Sequence, residues 1–320
     1  MSRDDAFPPP GRLIDLETHR LHLDCRGAST PSVIFDAALG ASSLSWSLVQ
    51  PDVSRFTRAC AYDRAGFGWS EAGPLPRTAA RIADELRTLL MRASVPPPYV
   101  LVGHSFGGLV TRIFASRHPQ EVAGLVFIEP AIPEEWVKLT DERRKLIERG
   151  VRLCAYGATA ARLGVARAVS TLVRLGALAP ARMLVKVVSR GGLRREDEGI
   201  LAPIWKLPPD SRRILRRTWT QPKFFEALGS QIESICESAG EAAVASLRTD
   251  VPLVVMSSAN ADERRLRADA ELARLSACGR HVLVADSGHW IPLDAPQAVI
   301  DVVMAIVNEI RDAPATGPQR

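Results

Sequence analysis

Ser105 lies in Gly103-His-Ser-Phe-Gly107, a G-x-S-x-G pattern set between an apolar run, Tyr99 to Val102, and a helical one, Phe106 to Arg117. A serine at a sharp strand-to-helix bend is held out of the sheet in strained backbone, and glycines on either side let neighbouring main chain come close without a Cβ. Gly108 extends that permissive stretch. The following helix aims its first amides and positive dipole end at the same point, where they would stabilise an anion forming on an attacked carbonyl. Ser105 is therefore a candidate nucleophile for acyl transfer.

A serine hydroxyl is a poor nucleophile until an imidazole takes its proton. The candidate base is His289, in Asp286-Ser-Gly-His-Trp-Ile-Pro292, a loop between the strand-like run His281 to Ala285 and a helix that Asp294 is expected to cap. The other histidines fit less well: His19 and His22 belong to an opening hairpin, His104 flanks the nucleophile, His118 ends a helix and His281 starts a strand. His19-x-x-His22 has no Cys or acid at ligand spacing, so no metal is expected, and no phosphate loop of the G-x-x-x-x-G-K type is present.

These side chains need a frame. Arg12 to Leu16 and His19 to Cys25 read as a hairpin with a two-residue turn; Val33 to Asp36, Thr57 to Tyr62, Tyr99 to Val102 and Leu125 to Ile128 read as buried strands, with helices over Thr78 to Ala93 and after Ser105. Strand alternating with helix implies an α/β architecture, a mostly parallel central sheet flanked by helices. From Pro130 to about Asp250 the pattern is helical, broken by Pro180, Gly191-Gly192 and Pro208-Pro209, and reads as an inserted lid. Strand character resumes at Val251 to Met256 and His281 to Ala285, before a last helix with Val299, Ile300, Val303, Ile306 and Ile310 on one face. The expected organisation is a flexible lead-in over 1–11, a first core part over 12–130, a helical lid over 131–250, a second core part over 251–312 and a flexible tail over 313–320.

Gly-His-Ser-Phe-Gly-Gly108, Asp36-Ala-Ala-Leu-Gly-Ala-Ser-Ser-Leu-Ser-Trp46, Tyr62-Asp-Arg-Ala-Gly-Phe-Gly-Trp-Ser70 and Ser287-Gly-His-Trp290 together give a chain that resembles the α/β-hydrolase superfamily, in its lid-bearing, esterase-like serine hydrolase group. The resemblance covers nearly all but the lid. It implies an oxyanion hole made by the amides of Phe106 and Leu39, with Ala37-Ala38 standing where similar proteins often carry His-Gly and Gly40 available for the turn. It also implies a carboxylate that holds the His289 tautomer, and two positions compete. Similar hydrolases commonly carry the acid in a Gly-x-x-Asp turn after the strand Leu253 to Met256, but Ser257-Ser-Ala-Asn-Ala-Asp262 lacks the glycine and is longer. Glu129 directly ends the strand Leu125 to Ile128, where some similar hydrolases place the acid, and an ionised carboxylate beside a core strand needs a partner. Glu129 is favoured, with Asp262 as the alternative.

The expected activity is cleavage of a carboxylic ester through an acyl-enzyme, without metal or cofactor. The same triad could act on an amide, a lactone or a carbon–carbon bond beside a ketone. From another class, the scaffold could bind a small ligand without turnover, although nucleophile, base and acid are all retained. Asp63-Arg64 reads as structural hydrogen bonding beneath the site, and Trp46, Trp69 and Trp290 read equally as acyl-pocket lining or as core.

The chain has 320 residues, 46% hydrophobic and 24% charged, with no run long enough to cross a bilayer and no secretory signal in its first residues, so a cytoplasmic protein is expected. Its five cysteines, odd in number and without C-x-x-C spacing, read as reduced and mostly buried. Of a net charge of +5, residues 131–250 carry 21 basic against 14 acidic side chains, a net of +7, leaving about −2 elsewhere. Ten of those bases lie between Glu148 and Glu196 with no acid among them. Arg182, Lys186 and Arg190 recur opposite Leu184, Val187 and Val188 as a basic amphipathic helix. A solvated face sealing apolar surface is the first reading of it, and contact with a membrane surface or an anionic substrate is the alternative. The Ala- and Leu-rich stretch Ala158 to Leu178 points to a hydrophobic small-molecule acyl substrate, and no nucleic-acid partner is expected.

Overall fold

A computed structural model of the chain describes residues 7–176 and 205–313. Eight strands form one sheet: β1 (Arg12–Asp15), β2 (Arg20–Arg26), β3 (Ser32–Asp36), β4 (Arg58–Tyr62), β5 (Tyr99–His104), β6 (Val122–Ile128), β7 (Leu253–Ser258) and β8 (Gly279–Val284). Their order is β1-β2-β4-β3-β5-β6-β7-β8, antiparallel at β1/β2 and β2/β4 and parallel from there on. The central strands are apolar throughout because both faces are covered. Ile34, Leu101, Leu125, Phe127, Leu253 and Val255 point into a core shared with helices Ala79–Arg92 and Phe106–Arg117. Their alternating neighbours Val33, Phe35, Val100, Val102, Val126, Ile128, Val254 and Met256 point into a second core against Trp46, Val49 and helix Pro296–Asp312.

Between β6 and β7 the described residues are mainly helical: Asp141–Arg162, Val165–Arg174, Pro209–Thr218, Pro222–Glu233 and Ile235–Ala243 follow a short helix at Pro133–Val137. The basic repeat Arg182, Lys186 and Arg190 lies outside the described residues. Helix Pro222–Glu233 lies so close on Asp141–Arg162 that a Cβ at Gly157 would sit 2.3 Å from the Phe225 ring. The last part of this segment is built into the core. Ile235, Ala242 and Ala245 join the first core, and Ser230, Ser238 and Glu241 accept from the amides of Arg77, Ala79 and Ala80 at 3.0, 2.9 and 3.0 Å, satisfying the exposed start of helix Ala79–Arg92.

Several local expectations are corrected. Cys25 and Cys60 are not free: they face each other in the β2/β4 register and form a disulfide, leaving Cys154, Cys236 and Cys278 as thiols. Asp294 does not cap the last helix, whose N-terminal residue Ala295 makes no side-chain cap; its carboxylate accepts from the Gly288 amide at 2.8 Å and pairs with Lys206. The described end of the lead-in is tied down, because the Phe7 carbonyl accepts from Trp69 Nε1 at 3.1 Å and the Pro10 carbonyl from His22 Nε2. Four residues, rather than two, join β1 to β2.

His22 and Asp63 form an ion pair, Nδ1 to Oδ2 2.9 Å, with both side chains fully buried. Burial opposes the charge on His22, but Asp63 and the Pro10 carbonyl outweigh it and hold the imidazole above its usual pKa of 6.5. This raised value gives stability that is complete below about pH 6.5 and is lost as pH rises through the folded-state pKa. The advantage of wild type over His22→Gln in thermal midpoint should therefore shrink from pH 6 towards pH 9. A difference that stays level across that range would contradict the charged pair.

Candidate active site

The ladder of parallel strands carries the candidate residues to one edge of the sheet. Ser105 follows β5, Glu129 follows β6, Ser258 ends β7 and His289 lies in the loop after β8, and these strands are consecutive neighbours. Two of these positions have the left-handed backbone that non-glycine residues avoid, Ser105 at φ 53° and Glu129 at φ 45°. Pairing across the strand ends holds both there. Ser105 N–H donates to Ile128 O at 2.9 Å, Ala131 N–H donates to Ser105 O at 3.1 Å, and Glu129 N–H donates to Met256 O at 2.8 Å. The elbow glycines are set by close approach: a Cβ at Gly103 would lie 2.4 Å from Thr111 Oγ1, and one at Gly107 would lie 2.5 Å from Asp36 O.

Glu129 and His289 meet. His289 Nδ1 lies 3.3 Å from Glu129 Oε2, and the other carboxylate oxygen accepts from the Ser258 amide at 2.7 Å. Burial raises the Glu129 pKa, but the bonds from His289 and Ser258 and the charge of Arg265 more than offset it, so the carboxyl is held below its usual 4.5 and stays ionised. The acid is 8% exposed and the imidazole 47%, so the pair is buried at its carboxylate end and solvent-accessible at the ring. Asp262 does a different job: it is the N-cap of helix Glu263–Ala273, accepting from Arg265 N–H at 2.8 Å.

The His289 loop is fastened at three points. Ser258 Oγ donates to Ser287 O at 2.5 Å, Gly288 N–H donates to Asp294, and His104 Nε2 donates to His289 O at 2.7 Å. The His104 and His289 rings lie 5.1 Å apart, which places the imidazole beside the residue that precedes Ser105. Burial and the nearby His289 push His104 down to about 3, so it is neutral with its proton on Nε2. His104 and Ser258 were missed as supports in the sequence. The available signals were a histidine inside an otherwise apolar strand end and a Ser-Ser pair closing an apolar strand.

Phe106 N–H and Leu39 N–H have no acceptor among the described residues, as expected for the first turn of a helix and for an open loop. The Leu39 loop is held from below. Arg64 donates to Asp36 Oδ1 from Nε at 2.9 Å and Nη2 at 2.6 Å, and to the carbonyls of Ala37 and Ala38, the latter at 3.3 Å. Asp63 accepts from Ser43 N–H at 2.7 Å and Trp69 N–H at 3.0 Å. Among the tryptophans near the strand ends, Trp46 is core, 4.8 Å from Phe35, and Trp69 lies 4.8 Å from His22. Trp290 packs with Leu44, Leu215 and Leu293, joining the His289 loop to helix Pro209–Thr218. A Cβ at Gly40 would lie 3.2 Å from Leu228, so helix Pro222–Glu233 sits over the Leu39 loop. The groups of metal-ligating side chains needed to hold an ion are not found among the described residues.

This sheet order and strand–turn–helix elbow define an α/β-hydrolase fold. The family model for that fold matches residues 31–170 of the 320, in agreement with the α/β-hydrolase fold seen here. YqjL of Bacillus subtilis, an uncharacterised protein, is 34% identical over 132 residues, 38% of this chain and 52% of YqjL; the chain thus spans about half the length of that relative. Two solved structures share the fold over almost the whole chain. The epoxide hydrolase CorEH superposes with a TM-score of 0.66 at 17% identity, covering 94% of this chain and 98% of its own. A thermophilic esterase from Thermogutta terrifontis superposes with a TM-score of 0.60 at 18% identity, covering 93% and 97%. No described helix is long and apolar enough to cross a membrane.

Proposed function

We propose that this hydrolase cleaves carboxylic esters through an acyl-enzyme on Ser105. The observation that carries the reading is the contact of His289 with a buried, ionised Glu129 on the strand next to the one that presents Ser105. In this mechanism His289 takes the Ser105 proton as the hydroxyl oxygen bonds to the carbonyl carbon, and Glu129 holds the imidazole tautomer with Nε2 free to accept. The Phe106 and Leu39 amides bind the oxyanion. Its collapse expels the alcohol, which takes the proton from His289, and water then cleaves the acyl-enzyme with His289 as base.

The nucleophile type favours an ester over an epoxide, the substrate named for CorEH. Serine opening an epoxide would leave an ether, which has no carbonyl for water to attack, whereas an acyl group on the same oxygen can be hydrolysed. The apolar cluster that Trp290 joins beside His289, Leu44, Leu207, Leu215 and Leu293, favours a hydrophobic acyl group, and helix Pro222–Glu233, over the Leu39 loop, serves as part of its cover.

A fluorophosphonate probe should label Ser105 stoichiometrically, and aryl esters of increasing acyl length should be hydrolysed with KM falling as the chain grows. Folded protein that takes up no label would instead be a binding module on this scaffold. Labelled protein that hydrolyses amides or lactones but no ester would move the assignment to those bonds.

A further inference from the structure

Arg64 is buried and reaches both proposed oxyanion elements, the main chain just before Leu39 and the ring of Phe106. Its guanidinium clasps the carbonyls of Ala37 and Ala38, the two residues before Leu39, while its Nε and Nη2 share Asp36 Oδ1 at the end of β3. The same guanidinium lies over the Phe106 ring, 5.0 Å from its centroid. The two loops touch at this point, since a Cβ on Gly107 would meet Asp36 O at 2.5 Å and Ala37 O at 2.8 Å. Two bonds to successive carbonyls and two to Asp36, all from one planar, permanently charged group, hold successive peptide planes in a way that a side chain with a single point charge cannot.

The direction of those planes matters for chemistry. Arg64 turns the Ala37 and Ala38 carbonyls down towards the guanidinium. The peptide that joins Ala38 to Leu39 then has its oxygen on the Arg64 side, and because the unit is planar and trans its N–H points the other way, towards the mouth of the site. The Ala38 carbonyl also accepts from Ala41 N–H at 3.1 Å, closing a turn in which Gly40 has φ 71°. The buried arginine braces this turn from below, adding a second donor to the Ala38 carbonyl and one to the Ala37 carbonyl before it.

We infer that Arg64 is a positioning residue of the acyl-transfer reaction, clasping the Ala37-Ala38 turn and seating the Phe106 ring so that the Leu39 and Phe106 amides converge on one oxyanion. This rests on the serine-hydrolase reading above. Arg64 touches no reacting atom; it acts through the peptide planes, so it acts on the transition state and leaves ground-state binding alone.

The test compares wild type, Arg64→Lys and Arg64→Met. Active sites are counted by fluorophosphonate labelling run to completion, kcat and KM are measured on one aryl ester per labelled site, and affinity is measured for an aryl trifluoromethyl ketone, whose adduct carries the oxyanion. Losing a positioned donor costs about 10²–10³-fold in kcat, so Arg64→Met should lose about 10²-fold in kcat per labelled site, keep KM within about threefold, and bind the ketone about 10²-fold more weakly. Arg64→Lys, able to hold one carbonyl, should recover about tenfold of both losses. If Arg64→Met does not fold, Arg64→Lys must still show the kcat and ketone losses together at unchanged KM. Activity per labelled site equal to wild type, or losses in labelled fraction and thermal midpoint alone, would reduce Arg64 to a structural role and overturn the inference. Wild type that fails to label at Ser105 would remove the hydrolase reading itself, a result separate from any behaviour of the Arg64 variants.

Discussion

Ser105→Ala is expected to lower kcat on an aryl ester by about 10⁶-fold and to abolish fluorophosphonate labelling, with the fold intact. The size follows from the roles: without the hydroxyl there is no acyl-enzyme, and only the oxyanion donors and binding remain, a residue of about 10³–10⁴ over the uncatalysed reaction. Folding should survive. The left-handed backbone at Ser105, φ 53°, is held by its amide bond to Ile128 and by the bond Ala131 makes to its carbonyl, and neither uses the side chain. Steady-state turnover beside circular dichroism and a thermal midpoint checks both halves. Activity within an order of magnitude of wild type in a folded variant would show that another group performs the chemistry.

Glu129→Gln should lower kcat by about 10⁴-fold, the cost of presenting the base in the wrong tautomer, while Asp262→Asn should stay close to wild type. A glutamine in place of Glu129 can offer its amide N–H to His289 Nδ1, which would shift the imidazole proton to Nε2 and remove the lone pair needed by Ser105. The carboxylate also enters this site already ionised. Held below its usual 4.5 by His289, the Ser258 amide and Arg265 against the penalty of burial, it needs no proton loss in the working range, so the acid limb of the pH–rate profile should not report Glu129. Asp262 is engaged with the Arg265 amide at a helix start, where asparagine caps about as well as aspartate, so its substitution touches neither the base nor the helix. Equal kcat in wild type and Glu129→Gln, or a large loss in Asp262→Asn, would reverse the assignment of the acid.

Much of the fold was legible because its causes are local. The strand–turn–helix around Ser105 is marked by an apolar run, three glycines within six residues and a helical pattern, all inside residues 99–117. The expected helix over Thr78 to Ala93 is found at Ala79–Arg92 with Thr78 accepting from Arg81 N–H, an N-cap readable from two positions three apart. Where the partner is distant, the reading failed. Asp294 looks like a helix cap in sequence because it precedes an amphipathic stretch, yet its carboxylate is drawn away to Gly288 and to Lys206, the latter 88 residues earlier. The cysteines gave no pairing signal either, since Cys25 and Cys60 are 35 residues apart and are brought together by the antiparallel register of β2 on β4.

The candidate nucleophile, its base and the alternation that demands a parallel sheet are written in the amino-acid order, because turn strain, glycine clearance and hydrophobic period act over a few bonds. The choice between two acids and the bracing of the oxyanion loop from below are not. Glu129 serves His289, 160 residues away, because β6 lies between β5 and β7 and carries its terminal carboxylate to the same edge as the elbow. Arg64 reaches the Ala37-Ala38 turn because β4 pairs with β3 in parallel, so that both strands end side by side. Sheet order and register are set by the burial of whole strand faces, a sum over the entire core, and only the assembled sheet decides which charged side chains share its edge.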